Sequence, residues 1–283
     1  MIKVLKAGFY STIQDQGRFG QREYGVPVSG AMDSYSSEFA NKLLGNEAAA
    51  AVLEMTMTGV ELQFYKSTTI AVTGAEMSPK LNGKPVKMFK SVKVSPNDIL
   101  SFGGFVSGFR AYLAVKGGFL TKPVLGSRSM AKGITPAVVI QKNDELEIKD
   151  FSNRLNTKHV NLVFNTLYAE DDTLEVLKGP EFDKLTKKQQ EILFSKEFEV
   201  SKHNNRMAYQ LLPLFQNNLD SILTAPVLPG TVQLTPSGQL IILMRDCQTT
   251  GGYPRVLQLT EKAINKLSQN KAGSYLKMKL SEF

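Results

Sequence analysis

The stretch ILSFGGFVSGFRAYLAVKGG, residues 99–118, shows the pattern that decides the fold. Two short apolar runs, Ile99–Phe102 and Ala111–Val115, each precede a glycine pair, Gly103-Gly104 and Gly117-Gly118. Short apolar runs bounded by turn residues are typical of β-strands that end in tight turns. Strands of this length predict an antiparallel sandwich or barrel.

The same pattern recurs on both sides of this stretch. Further runs bounded by turn residues are Thr69–Val72, Thr231–Leu234 and Leu240–Met244. Residues 81–84 (Leu-Asn-Gly-Lys) predict a hairpin, because Asn-Gly accepts the positive φ angles of a tight turn. The segment Tyr275–Leu280 alternates apolar residues with two lysines, as a half-buried strand does. The sequence therefore predicts a mainly β protein.

Helical patterns are few and short, and they are predicted at Tyr35–Leu44, Thr186–Phe194 and Thr260–Ser268. For the first of them, Asp33 or Ser34 is a suitable N-cap and Gly45 a suitable terminator. Near the middle of the chain, the polar segment Asp150–Asn161 interrupts these patterns. We place a domain border there, which predicts an N-terminal domain of residues 1–155 and a C-terminal domain of residues 156–283.

Composition excludes several classes of protein. The 283 residues are 42% hydrophobic and 21% charged, as in soluble globular proteins. No apolar run is long enough for a signal peptide or a membrane span, so we expect a cytoplasmic protein without a membrane partner. The net charge of +8 is spread along the chain without an interleaved aromatic pattern, so we expect no nucleic-acid partner.

Several kinds of site are also excluded by the sequence. One cysteine and two histidines leave no pattern of metal ligands, so we expect no metal site. The sequence contains neither a G-x-x-x-x-G-K-[ST] nucleotide loop nor a G-x-S-x-G nucleophile turn. We interpret Cys247 as inert packing, with a nucleophile paired with His203 as the alternative.

Three stretches combine flexible small residues with charged or amide side chains, as in loops that bring backbone close to a ligand. They comprise residues 12–18 with 25–33, residues 113–118 with 124–129, and residues 246–254. Through them the chain resembles the allophanate hydrolase subunit 2 family, which includes the C subunit of 5-oxoprolinase together with KipA-type proteins. It is also similar to half of the carboxyltransferase region of urea carboxylase. The motifs that resemble the family are GVPVSGAMD (25–33), AVKGG (114–118), VLGSRS (124–129), NRM (205–207) and QTTGGYP (248–254).

The resemblance implies a fold of two cyclophilin-like β-barrel domains. It also implies a subunit of a complex that opens 5-oxo-L-proline to L-glutamate with ATP. The implied partners are a subunit 1 protein (the B subunit of 5-oxoprolinase, or KipI-like) and the A subunit of 5-oxoprolinase. ATP would be bound by or shared with a partner, and this chain would hold no covalent biotin. One departure is Gln210, which stands where the family usually has arginine.

Two other functions remain open for such a chain. One is a KipA-type regulatory protein that antagonises a kinase inhibitor, which requires only a binding surface. The other is a subunit of a biotin-dependent carboxyltransferase acting on urea or a related amide. That second function requires a separate biotin carrier.

Opening a lactam with ATP requires groups that bind a small anionic amide and stabilise charge on phosphoryl and carbonyl oxygens. We expect Arg128 and Lys116 to stabilise that charge, and Asp33 and Asp246 to act as acid–base or orienting groups. The expected substrate contacts are Gln14, Ser29, Arg206, Gln248, Thr249 and Tyr253. We further expect the loops Ser29–Asp33, Lys116–Arg128 and Asp246–Tyr253 to converge on one cleft.

Overall fold

The computed structural model describes residues 1–149, 151, 164–165 and 171–281. The chain divides into two compact units, with unit 1 formed by Met1–Arg18 and Ser29–Asn165, and unit 2 by Phe19–Val28 and Thr166–Phe283. The predicted border between residues 155 and 156 lies outside the described residues and stays a prediction. The segment Phe19–Val28 differs from the expected division, because it packs with unit 2 although the sequence places it in the N-terminal part.

The described part of unit 1 consists of strands and one helix. In chain order these are β1 (Ile2–Lys6), β2 (Tyr10–Gln14), α1 (Ser34–Leu44), β3 (Val52–Thr56), β4 (Glu61–Phe64), β5 (Thr68–Glu76), β6 (Lys80–Leu81), β7 (Lys84–Pro85), β8 (Ser91–Val94), β9 (Ile99–Ser101), β10 (Ser107–Val115) and β11 (Glu145–Leu146).

In the described part of unit 2, a single turn of 3-10 helix at Arg22–Tyr24 comes first in the chain. The longer elements are β12 (Thr173–Lys178), α2 (Lys187–Ser195), β13 (Phe198–Asn204), β14 (Ala208–Leu212), β15 (Ala225–Pro226), β16 (Thr231–Leu234), β17 (Leu240–Leu243), β18 (Thr250–Gly251), β19 (Arg255–Leu259), α3 (Glu261–Ser268) and β20 (Tyr275–Leu280).

The predicted class, mainly β with a few short helices, is confirmed. All three predicted helices form, and each begins after a side chain that accepts a backbone hydrogen bond: Asp33 for α1, Thr186 for α2 and Thr260 for α3. The predicted hairpin joins β6 to β7, and Asn82 and Gly83 have φ angles of 51° and 78°. In the described part of the chain, no helix is long and apolar enough to cross a membrane.

In unit 1 the described strands form two sheets around a shared core. The strand order is β11-β1-β4-β9-β6-β7 in one sheet and β2-β3-β10-β5-β8 in the other. The packing of β10 explains why its second half, residues 111–115, is continuously apolar. Leu113 and Val115 enter the core between the sheets, whereas Tyr112 and Ala114 pack under α1 on the opposite face. Because successive side chains point to opposite faces, a strand covered on both sides needs apolar residues throughout.

Unit 2 contains a closed barrel, which fits the barrel expected there. The described strands pair in the order β12-β19-β16-β17-β14-β13-β20, and a parallel pairing of β20 with β12 closes the ring. In β20, Leu276 and Met278 are buried while Lys277 and Lys279 are exposed, which confirms the half-buried strand predicted from alternation. A separate two-stranded ribbon pairs β15 with β18.

Strand β10 offers a matched test of the core. Val115 is 0% exposed and Val106, just before the strand, is 71% exposed. We expect Val115→Ala to lower the free energy of unfolding by about 2 kcal/mol, from roughly 0.8 kcal/mol per buried CH₂ and the cavity left behind. The same change at Val106 should stay within about 0.5 kcal/mol. Urea unfolding of both variants measures the difference, and equal losses would contradict this packing.

Candidate functional site

In unit 1, Asp15 joins two of the motif-rich stretches. Its Oδ1 accepts hydrogen bonds from Ser127 Oγ and Ser129 Oγ, both at 2.6 Å, and from Gly17 N at 2.8 Å. Its Oδ2 accepts from Arg128 N at 2.6 Å. Its backbone oxygen accepts from Ala31 N at 3.0 Å, which adds the Ser29–Asp33 loop. Asp15 lies within the stretch of residues 12–18, and nothing in the sequence predicted a role for it.

Three predicted site residues lie around this junction. The Arg128 side chain is half-buried, and its Nη1 donates to the carbonyl of Thr121. Ser29 is 2% exposed with a φ of 59°, and its Oγ has no hydrogen-bond partner among the described residues. Gln14 is fully buried and donates to Met130 O at 3.1 Å, so its amide holds β2 against residue 130. The functional roles of all three stay predictions.

Asp33 and Lys116 contact opposite ends of α1. Asp33 accepts from Ser36 N at 3.0 Å and from Ser36 Oγ at 2.7 Å at the helix N-terminus. Lys116 Nζ donates to Leu44 O at 2.6 Å and to Gly45 O at 3.3 Å at the C-terminus. Both charges suit the helix dipole. An 11-residue helix spans roughly 16 Å, so the side chains of Lys116 and Asp33 do not meet, while the expected convergence of the loops on one cleft stays a prediction.

A buried polar network that was not predicted from the sequence lies beneath the Ser29–Asp33 loop. Glu54 Oε2 accepts from Met32 N at 2.7 Å and from the Tyr112 hydroxyl at 3.0 Å, and that hydroxyl accepts from Asp33 N at 2.8 Å. Burial and then the charges of Glu54 and Asp33 hold the pKa of Tyr112 well above its ordinary value. The phenol therefore stays neutral and remains a donor. A glutamate inside the apolar run VLEMT (52–56) was the available signal.

In unit 2, two predicted site residues pair with each other. Arg206 binds Asp246 through a fork, with Nε–Oδ2 at 2.7 Å and Nη2–Oδ1 at 3.0 Å. Arg206 is buried and Asp246 is half-buried. A forked pair of this kind orients the carboxylate. The expected roles of Arg206 in substrate binding and of Asp246 in proton transfer stay predictions.

The motif QTTGGYP (248–254) forms β18 and the turns around it. Thr249 O accepts from Arg22 Nη2 at 3.3 Å, and Gln248 Nε2 donates to Gln233 Oε1 at 3.5 Å. Tyr253 is exposed. Arg22 and Gln233 were not predicted as site residues, since nothing in the sequence links them to this loop. The expected convergence of Asp246–Tyr253 with the other loops joins residues of both units and stays a prediction.

Cys247 lies in this loop and is buried against Val227 and Leu243. Burial raises the pKa of its thiol to about 11, an effect that outweighs the opposing charge of Arg22. At neutral pH the residue is therefore a thiol rather than the thiolate that a nucleophile requires. Among the described residues, no three His, Cys, Asp or Glu side chains lie together in a group that could hold a metal ion.

Residues 24–280 match the family described as the carboxyltransferase domain, subdomain A and B. The chain is 32% identical over 279 residues to the C subunit of 5-oxoprolinase from Escherichia coli (strain K12), covering 96% of this chain and 89% of that protein. It is also 32% identical to the Haemophilus influenzae protein of the same name, covering 98% and 90% of the two chains.

A crystal structure of a urea amidolyase also resembles this chain. The K. lactis urea amidolyase superposes with a TM-score of 0.86 at 27% identity, covering 98% of this chain and 18% of that much longer one. The chain belongs to the carboxyltransferase domain family, subdomain A and B. The resemblance to the C subunit of 5-oxoprolinase and to the urea carboxylase region is thereby confirmed.

We expect Asp15→Asn to weaken the junction in unit 1. In either orientation of the asparagine amide, its NH₂ group faces a donor that now bonds to a carboxylate oxygen. We expect this to lower the free energy of unfolding by about 1–3 kcal/mol. Asp144→Asn is the control, because Asp144 Oδ2 accepts from Gln141 N at 2.8 Å and an asparagine oxygen replaces it there. Urea unfolding of both variants makes the comparison, and a loss at Asp15 no larger than at Asp144 would contradict the role of Asp15.

The raised pKa of Cys247 predicts a thiol that resists modification. At pH 7.5 the folded chain should not react with a thiol-specific disulfide reagent over many minutes, whereas urea-unfolded chain should release one equivalent. Reactivity should rise only as the pH approaches about 11, because the thiolate appears there. Rapid reaction of the folded chain at pH 7.5 would show that Cys247 is accessible and ionised.

Proposed function

We propose that this chain is a subunit of an ATP-dependent complex that opens 5-oxo-L-proline to L-glutamate. The observation that carries the proposal is its 32% identity to the C subunit of 5-oxoprolinase from E. coli, which extends over 96% of this chain and 89% of that protein. A match that runs nearly from end to end favours a shared role for the whole chain rather than one shared domain.

The proposed complex needs other subunits. A relative that is named as one subunit of several implies partners. We propose a subunit 1 protein (the B subunit of 5-oxoprolinase, or KipI-like) and the A subunit of 5-oxoprolinase. ATP, when bound, supplies the activation of the lactam by phosphorylating its amide oxygen. We assign its binding to a partner or to a shared surface, because this sequence has no G-x-x-x-x-G-K-[ST] loop.

Within this chain, Arg128 and Asp246 are the residues we propose for chemistry. The Arg128 backbone is fixed by Asp15, and its half-buried side chain, which also donates to Thr121 O, would stabilise charge on a substrate oxygen. Asp246 is oriented by Arg206 and can direct a water or accept a proton from it. For Asp33 and Lys116 we propose a positioning role, since they fix the two ends of α1.

A second candidate is favoured by the match to K. lactis urea amidolyase and by the family description. It is a carboxyltransferase subunit that transfers a carboxyl group from biotin to urea or a related amide. Biotin would be attached to another protein in that case. Assembled complexes can be assayed with urea and a carboxylated biotin carrier to test this candidate.

The main experiment is reconstitution. We expect the chain, co-expressed with its two proposed partners, to co-elute with them in gel filtration. The purified complex should form glutamate from 5-oxo-L-proline only with ATP, and this chain alone should form none. Separate elution of the chains, or turnover by this chain alone, would contradict the proposal.

Within that complex, Arg128→Ala should reduce kcat/KM for 5-oxo-L-proline by roughly ten- to a hundredfold, as expected for loss of one charge-assisted contact. Lys122→Ala is the control, because it removes an exposed cation from the same loop. Unaltered kinetics of Arg128→Ala would remove that residue from the mechanism and leave the family membership intact.

A further inference from the structure

Two buried hydrogen-bond donors in unit 2 have no hydrogen-bond partner in the described part of the chain. They are Nη1 of Arg22 and Nε2 of Gln233. Native proteins pair nearly all buried polar atoms, so two such donors in one region indicate a missing acceptor. Both lie at the ribbon of β15 and β18, which contains part of the QTTGGYP motif.

Arg22 is held by one half of its guanidinium. Nη2 donates to the carbonyls of Val227 and Thr249, which flank the two strands of the ribbon. These bonds fix the plane of the guanidinium and leave Nη1 as the uncommitted donor. Because a guanidinium is rigid and planar, a fixed Nη2 also fixes the direction of Nη1.

Gln233 is held in a similar way. The side chain is 2% exposed, and its Oε1 accepts from Gln248 Nε2 at 3.5 Å. Its Nε2 faces Gly251, where an added Cβ would lie 2.4 Å from Nε2 and 3.4 Å from Val227 Cγ1. The Gly251 backbone therefore packs directly against this amide, and a larger residue at 251 would clash with it. Val227 is close to both side chains, because its carbonyl accepts from Arg22 and its Cγ1 lies beside Gly251.

The charges of this region select an anionic acceptor. Asp246 is engaged by Arg206, and Glu181 is engaged by Arg255 through Nη2–Oε1 at 2.9 Å. Arg22 has no ion-pair partner among the described residues. The floor is apolar, since Val227, Leu243 and the neutral Cys247 pack together. One uncompensated cation over an apolar floor matches a monoanion better than a phosphate, which carries nearly two charges at neutral pH.

We infer that Arg22 Nη1 and Gln233 Nε2 form a binding site for a small carboxylate. One carboxylate oxygen would accept from each donor. Gly251 of the ribbon packs against the Gln233 amide, so the ligand enters when the ribbon moves. The ribbon has only two residue pairs, Ala225 with Gly251 and Pro226 with Thr250. The inference rests on the proposed function in one respect: the carboxylate is that of the lactam substrate.

Binding to the full chain, without ATP or partners, tests this site. Isothermal titration calorimetry would use three probes: 5-oxo-L-proline, 2-pyrrolidinone, which lacks the carboxylate, and cyclopentanecarboxylate, which lacks the amide. We expect both carboxylates to bind at millimolar concentration, and 2-pyrrolidinone to bind at least about tenfold more weakly. Equal binding of all three, or no binding of either carboxylate, would overturn the inference.

Variants locate the binding. Gln233→Glu keeps the side-chain shape and replaces the donor with a negative charge, and Arg22→Gln removes the cation. Each should weaken cyclopentanecarboxylate binding at least about tenfold. Arg245→Gln is the matched control, because the Arg245 guanidinium is engaged by Glu261 and Asn265. Unchanged binding in Gln233→Glu, or an equal loss in Arg245→Gln, would overturn the assignment, and circular dichroism verifies that each variant is folded.

This outcome is separable from that of the proposed function. If carboxylates bind but the complex forms no glutamate, the binding site is supported and the proposed reaction is contradicted. If the complex forms glutamate and Gln233→Glu leaves the substrate KM unaltered, the proposed reaction is supported and the binding site is contradicted.

Discussion

Strand β10 presents apolar side chains to both faces of its sheet, so each face has to be covered by another element. The second sheet of unit 1 covers one face, and α1 covers the other. Asp33 and Lys116 bind the two ends of α1, and Lys116 directly follows β10 in the chain. Two charged residues of unit 1 thus hold the helix that buries one face of this strand.

The carboxylates and the buried donors of the two units differ in whether they have a hydrogen-bond partner. Asp15, Glu54 and Asp246 each accept hydrogen bonds from at least two donors, which fix the positions of their oxygens. Arg22 and Gln233 retain buried donors without a protein acceptor among the described residues. An excess of donors over acceptors in an apolar setting favours anionic or carbonyl ligands. This asymmetry supports the anionic amide that we propose as the substrate.

Membership of the carboxyltransferase domain family indicates which chemistry these carboxylates and buried donors are compared with. One relative is named as a urea amidolyase and another as a 5-oxoprolinase subunit, so the two names refer to urea and to a lactam. Amide carbonyls are poor electrophiles, and catalysis on them depends on fixed donors and oriented carboxylates. The two units hold fixed donors and oriented carboxylates on separate loops.

The sequence by itself determined the mainly β class, the three capped helices, the Asn-Gly hairpin and the family motifs, because periodicity, capping and turn chemistry act between residues close in the chain. The tertiary structure alone decided which distant groups meet. Asp15 binds Ser127 across 112 positions, Arg22 reaches Thr249 across 227, and Lys116 lies at the opposite end of α1 from Asp33. Such contacts depend on strand register and on the path of the chain, which no local pattern encodes.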